Sequence, residues 1–277
     1  MNKKSLSIPN PKELKKKIAK FKTDGLANFH IVADFDRTLT KGKKTHSSYE
    51  FVRKGKYLTP DYAPRSYALF YEYYPLEISE SLPLEEKKVK MDEWWTKHYD
   101  LMIECGMNAD VVKDIIKKGK IQLRKGASEF LDILAKNKIP ILIFSAGIGN
   151  FIKEFLISIE KLTKNIHIIS NFLKFDKKGI AKSYTKPLIH TFNKNEIQVK
   201  NHPYQNEIIK RKNVILLGDL LGDLGMTEGI KHDTIIRIGF LNHHVKKFLN
   251  EYNKNFDVVV LNDGPMDYVN KLVKDIL

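Results

Sequence analysis

The stretch FHIVADFDRTLT, residues 29–40, decides the fold. A run of β-forming apolar residues ends in two acids, Asp34 and Asp36, with a threonine at 38. Two carboxylates one residue apart at the mouth of a buried strand call for a chemical reason. In open α/β sheets, ligands bind beyond the carboxyl ends of the strands. The ends of the remaining strands are therefore the places to look for partners.

Working outward, residues 11–22 read as a short basic helix with Pro11 near its start. The polar TKGKKTHSS, residues 40–48, reads as a loop. From about residue 49 to 124 the pattern turns helical. APRSYALFYEYY is aromatic, and LEEKKVKMDEWWTKHYDLMIECG places Val89, Met91, Trp94, Trp95, Tyr99, Met102 and Ile103 at amphipathic-helix spacing, closed by Gly106. NADVVKDIIKKG, from Asn108 to Gly119, predicts a further helix. After Gly126, strands alternate with helices, and FLKFDKKGIAKSY adds a hairpin turning at DKKG. The expected fold is α/β: a Rossmann-like parallel sheet covered on both faces, with a helical insertion after its first strand. Residues 1–48 and 125–277 are the expected core, and residues 49–124 the expected cap.

Two further strand ends carry chemistry. ILIF runs into Ser145-Ala146-Gly147, and VILLG runs into Asp219, with Asp223 four residues on. Singly each has a bland reading: an Asp capping a loop, a Ser opening a helix, a turn with an N-cap. Jointly, and in this order, they predict carboxylates and a hydroxyl converging at one sheet edge. Acids that close do not all stay ionised without a cation. An oxygen-rich set of this kind suits magnesium, which also bridges to phosphate.

The order resembles that of the haloacid dehalogenase superfamily of phosphotransferases: DFDRTLT for its first motif, IFSAG for the second, a lysine for the third and GDLLGD for the acidic fourth. FSAGIGN, SNF, LIHTFNKNE, NVILLGDLLGDLGM and MDEWWTKHYDLM look more narrowly like the cytosolic pyrimidine 5′-nucleotidase family. The resemblance implies that Asp34 attacks phosphorus and that Asp36 gives and later takes a proton. It implies that Ser145, with the backbone N–H groups of Ala146 and Gly147 at the start of the next helix, binds the phosphoryl oxygens. Lys194 neutralises phosphate and Asp34. Mg2+ sits between Asp34, Asp219 and the backbone carbonyl of Asp36, with Asp223 behind them. Glu93 accepts a hydrogen bond from the base, and Trp94 or Trp95 stacks on it. Thr38 and Thr40 fix the loop. The implied substrate is a pyrimidine nucleoside 5′-monophosphate, UMP or CMP. Alternatives on the same fold are 7-methyl-GMP, phosphoserine or a sugar phosphate.

Composition narrows the classes. Hydrophobic residues make up 42% of 277, enough for a full core, and Cys105 is the only cysteine, so no intrachain disulfide forms. Cys105 reads as a buried thiol, and His243-His244 as a polar loop rather than a metal site. His46, His98 and His190 carry no required role. The longest apolar run, IPILIFSAGIG, falls far short of the ~20 residues of a spanning helix, and no secretory signal is visible, so a cytoplasmic protein with no membrane partner is expected. The formal charge of +15 is spread along the chain with no nucleic-acid-binding motif. A basic nucleic-acid-binding protein on an inactive phosphatase fold is the rival class.

Overall fold

In the computed structural model, residues 5–43, 46–118, 121–195 and 202–277 are described. A seven-stranded sheet runs in the order β1-β9-β8-β7-β2-β3-β4. At its centre, β2 (Phe29–Ala33) pairs in parallel with β3 (Ile141–Ile148) on one side and β7 (Asn213–Gly218) on the other. Beyond them lie β4 (Ile166–Asn171), β8 (Thr234–Leu241) and β9 (Val258–Leu261), all parallel. Only the short β1 (Leu6–Ser7), which the sequence pattern does not predict, is antiparallel, pairing with β9 at the edge. A small hairpin of β5 (Leu173–Phe175) and β6 (Ala181–Tyr184) stands apart, its turn at the expected DKKG.

Every residue of β2 is buried because both faces of the sheet are covered. Phe29, Ile31 and Ala33 face a core shared with α1 (Pro11–Asp24), α6 (Ala127–Lys136), α7 (Gly149–Ser158) and α10 (Asp267–Ile276). Val32 faces the opposite side, packing with Leu142, Phe144, Val214, Leu216 and α8 (Pro203–Ile208). Alternation with period 2 thus assigns successive residues to two cores. A third cluster sits under α9 (Val245–Asn255).

Between β2 and β3 lie α2 (Ser48–Lys54), α3 (Tyr62–Ile78), α4 (Leu84–Glu104) and α5 (Ala109–Lys117). The start of α2 is set by a capping box: Ser47 Oγ accepts from Glu50 N, and the Glu50 carboxylate accepts from Ser47 N. Helix α3 runs through Pro75 to Ile78. In α4, Met91, Trp94, Tyr99 and Met102 are buried as their spacing predicts, but Val89 is 64% exposed. Val89 lies in the first turns of α4, ahead of the buried stripe that begins at Met91. The expected closing Gly119 of α5 lies outside the described residues.

Helix α8 ends at Ile208, and the segment after β7 forms a 3-10 turn over Leu221–Thr227 rather than an α-helix. Cys105 is buried, and His243 Nε2 lies 3.0 Å from the Gly42 carbonyl. Among the described residues no helix is long and apolar enough to cross a membrane.

Candidate active site

Strands β2, β3 and β7 end side by side, and their loops floor a cavity of about 520 Å³. Asp34 leaves β2 with its N–H still bonded to Leu217 O of β7 at 2.9 Å. Lys194 Nζ lies 2.6 Å from Asp34 Oδ1 and 2.9 Å from Asp223 Oδ1. The other Asp223 oxygen accepts from the N–H groups of Asp219 and Leu220, each at 3.0 Å. Asp223 therefore shapes the loop that presents Asp219 while gripping the lysine. The structure brings Asp34, Asp36, Ser145, Ala146, Gly147, Lys194, Asp219 and Asp223 to one cavity.

The electrostatics follow from burial. Desolvation pushes the Asp34 carboxyl up to about 7, against the pull of Lys194. Asp219 is raised well above the carboxylate range by burial and by the charges of Asp34 and Asp223. Burial works against the Lys194 ammonium too, but Asp223 and Asp34 outweigh it and hold its pKa above the ordinary lysine value. Oxygens of Asp34, Asp219 and Asp223 lie within 4.8 Å of one another, and Asp34 Oδ2 is buried with no hydrogen-bond partner among the described residues. An all-oxygen donor set with an orphaned carboxylate oxygen fits a hard divalent cation.

Asp36 stands apart from this cluster. Its side chain approaches Gly147, and the Ser48 backbone N–H bonds to it. Burial raises its pKa to about 6, against the opposing charge of Arg37. The loop carrying it is held from behind. Arg124, 2% exposed, donates to Thr38 O at 2.7 Å, to Gly264 O at 2.9 Å, to Asn242 Oδ1 and Asp263 Oδ1 at 3.0 Å each, and to Arg37 O. Arg37 adopts a left-handed φ of 63°, and its N–H donates to Thr40 Oγ1 at 2.8 Å. Thr40 thus fixes the loop as expected.

Two expectations need correction. Ser145-Ala146-Gly147 lies within the irregular end of β3, where the pairing with β4 shifts register, and α7 begins only at Gly149. The Gly147 N–H donates to Ser145 Oγ at 3.0 Å, so it is engaged inside the loop instead of standing at a helix start. Glu93 lies outside the cavity lining. It is partly exposed beside Tyr73 of α3, 2.7 Å from Lys97 and 3.2 Å from Lys90. Lys97, Tyr73 and Lys90 hold its pKa down to about 2. The acids that do reach the cavity from the inserted helices are Glu50 and Glu77.

Trp94 and Trp95 both line the cavity, their rings stacked at 5.1 Å, and Tyr49 packs 4.5 Å from Trp95. Phe70 and Tyr74 of α3 stack at 4.8 Å and extend the aromatic wall. The aromatic run of α3 was visible in the sequence, but its facing was not. Glu50 was signalled by the S-x-x-E pattern of SSYE, which marks a helix start.

The model of the pyrimidine 5′-nucleotidase (UMPH-1) family matches residues 34–277. The chain belongs to the pyrimidine 5′-nucleotidase (UMPH-1) family. Among relatives of this family member, the 7-methylguanosine phosphate-specific 5′-nucleotidase A of Xenopus laevis is 34% identical, covering 99% of this chain and 96% of its own. The Homo sapiens 7-methylguanosine phosphate-specific 5′-nucleotidase is also 34% identical, covering 96% and 91%. The crystal structure of cytosolic 5′-nucleotidase IIIB bound to cytidine superposes with a TM-score of 0.89 at 32% identity, covering 99% of this chain and 94% of that one. A phosphoserine phosphohydrolase-like protein from Francisella tularensis, with a TM-score of 0.56 at 16% identity, shares the haloacid dehalogenase fold. This family member is a phosphoric monoester hydrolase of the 5′-nucleotidase type.

Proposed function

We propose that this 5′-nucleotidase is Mg2+-dependent and hydrolyses nucleoside 5′-monophosphates through a transient phosphoaspartate on Asp34. The observation that carries the reading is the placing of Lys194 Nζ 2.6 Å from Asp34 Oδ1, at the floor of an aromatic-walled cavity. With Oδ1 held by Lys194, the Asp34 carboxylate is fixed facing the cavity, and it attacks phosphorus. As the phosphorus–oxygen bond to the ribose breaks, Asp36 protonates the departing 5′-oxygen. It then takes a proton from the water that cleaves the phosphoaspartate. Its pKa of about 6 suits a group that must both give and take near neutrality. Ser145 and the Ala146 N–H hold phosphoryl oxygens, and Lys194 balances their charge. Bound Mg2+ would supply further neutralisation of the phosphate, held by Asp34, Asp219 and the Asp36 carbonyl.

In this reading residues 49–124 act as a cap over the core of residues 1–48 and 125–277. The cap selects the base. 7-Methylguanosine 5′-monophosphate is the first candidate, because relatives carry that specificity in their names and because electron-rich rings beside Glu50 suit a cationic base. CMP, with UMP, is the second, favoured by the cytidine bound to the similar solved structure. Phosphate release from 7-methyl-GMP, CMP, UMP, GMP, AMP and phosphoserine, with Mg2+ and with chelator, tests both parts. Turnover of phosphoserine alone, or equal rates with and without Mg2+, would overturn the proposal.

A further inference from the structure

The segment that carries Lys194 belongs to no helix or strand, yet it is bound on two sides. Its own shape is fixed by side chains. Asn171 bonds both the N–H and the carbonyl of Ile189, at 2.7 and 2.8 Å. Asn193 accepts from His190 N at 2.8 Å and donates to Leu188 O at 2.7 Å. Against the core, the segment abuts the turn after β7: a Cβ on Gly222 would meet Thr191 Cγ2 at 2.9 Å, and one on Gly225 would meet Lys194 O at 3.1 Å.

On the other side it touches the inserted helices three times in succession. Thr191 Oγ1 donates to Glu77 Oε1 of α3 at 2.7 Å. The Phe192 ring packs on Tyr73, Met91 and Trp94, with Lys87 Nζ 5.3 Å from its centroid. His190 accepts from Phe192 N through Nδ1, and its Nε2 faces Asp92 of α4 at 3.2 Å, off the line of a hydrogen bond. Three residues beyond Thr191, Lys194 reaches Asp34.

We propose that Glu77 and Thr191 are positioning residues: their bond latches the Lys194 segment to α3, so that the ammonium is seated on Asp34 only while the helices that wall the base pocket are closed on it. The inference rests on the hydrolase reading and adds to it a route from base binding to chemistry. Helices α3 and α4 carry both the aromatic wall and the contacts to this segment. A nucleoside that holds them in place therefore also holds the lysine, and an ester without a base does not.

The test is Thr191→Val in the full chain, which keeps the shape and removes the donor. With 7-methyl-GMP and CMP, kcat falls about tenfold while KM stays within about twofold. Hydrogen exchange of the amides of residues 188–194 speeds up. Thr191→Ser, which keeps the hydroxyl, restores kcat to within about threefold and restores slow exchange. Glu77→Ala repeats the Thr191→Val loss, and the double variant is no worse than either single one. Wild-type kcat and unchanged exchange in Thr191→Val would overturn the latch, as would a loss confined to KM, which marks a plain substrate contact. A wild-type chain inert toward every monophosphate would instead defeat the hydrolase reading, and the exchange comparison would still decide whether the latch exists.

Discussion

Arg124→Lys tests how the Asp36 loop is held. The guanidinium spans three main-chain carbonyls, of Arg37, Thr38 and Gly264, together with Asn242 and Asp263, and lies 4.4 Å over the Phe240 ring. A lysine keeps the charge but offers one nitrogen where the fork offers three. The Arg37 carbonyl keeps its bond from Asn242 Nδ2 at 3.0 Å, but of the Thr38 and Gly264 carbonyls a single lysine nitrogen leaves at least one without its partner, at ~1–3 kcal/mol, so the variant loses about 2 kcal/mol. For a chain of this size that corresponds to a melting temperature lower by roughly 4–8 °C. The loop also carries Arg37 at a positive φ, held there from behind by the same arginine. A shift of ~1 Å at Asp36 is enough to cost roughly a hundredfold in rate. Calorimetry and phosphate release on the same preparation measure both effects. A variant melting within ~2 °C of wild type with full kcat would refute the view that Arg124 holds this loop.

Three further outcomes are expected. Trp95→Ala lowers kcat/KM for the nucleotide about tenfold relative to p-nitrophenyl phosphate, as loss of a stacked base requires, whereas Glu93→Ala leaves that ratio unchanged; the reverse pattern would restore Glu93 to base recognition. Gly147→Ala lowers kcat, because its Cβ would come within 3.1 Å of Ser48 Oγ, 3.2 Å of Ser145 Oγ and 3.4 Å of Asp36 Oδ2; unaltered steady-state kinetics would show that this loop yields freely. Burial pushes the His98 imidazole down to about 3, so the fold keeps it neutral. Below about pH 6.5 the unfolded chain binds a proton that the folded one refuses, and stability drops by ~1.36 kcal/mol per pH unit toward the folded value. In urea titrations between pH 7 and 5, His98→Gln removes one proton from that slope; an unchanged slope would show that His98 titrates normally.

The sheet was legible because β2, β3 and β7 are buried on both faces, and such strands read as unbroken apolar runs with their chemistry at the ends. Asp34, Ser145 and Asp219 were found for that reason. Lys194 was not visible by pattern, since a lysine in a polar segment reads as solvated, and only the family resemblance marked it. Arg124 was missed because its partners are carbonyls from distant parts of the chain, which leave no trace in the spacing of side chains. Glu93 was misplaced although the sequence held the counter-signal. Glu93 and Lys97 are four residues apart, the spacing of an exposed helical ion pair, and each step of about 100° turns Glu93 away from its tryptophan neighbours. β1 went unseen because two residues are too short to show a period.

The most direct measurement is to quench the enzyme during turnover of a substrate carrying labelled phosphate, locate the label by peptide mapping, and repeat with Asp34→Asn. The account predicts acid-stable label on the peptide that contains Asp34, and for the variant neither label nor hydrolysis despite an unchanged melting temperature. Label on another residue, or substantial hydrolysis by Asp34→Asn, would contradict it.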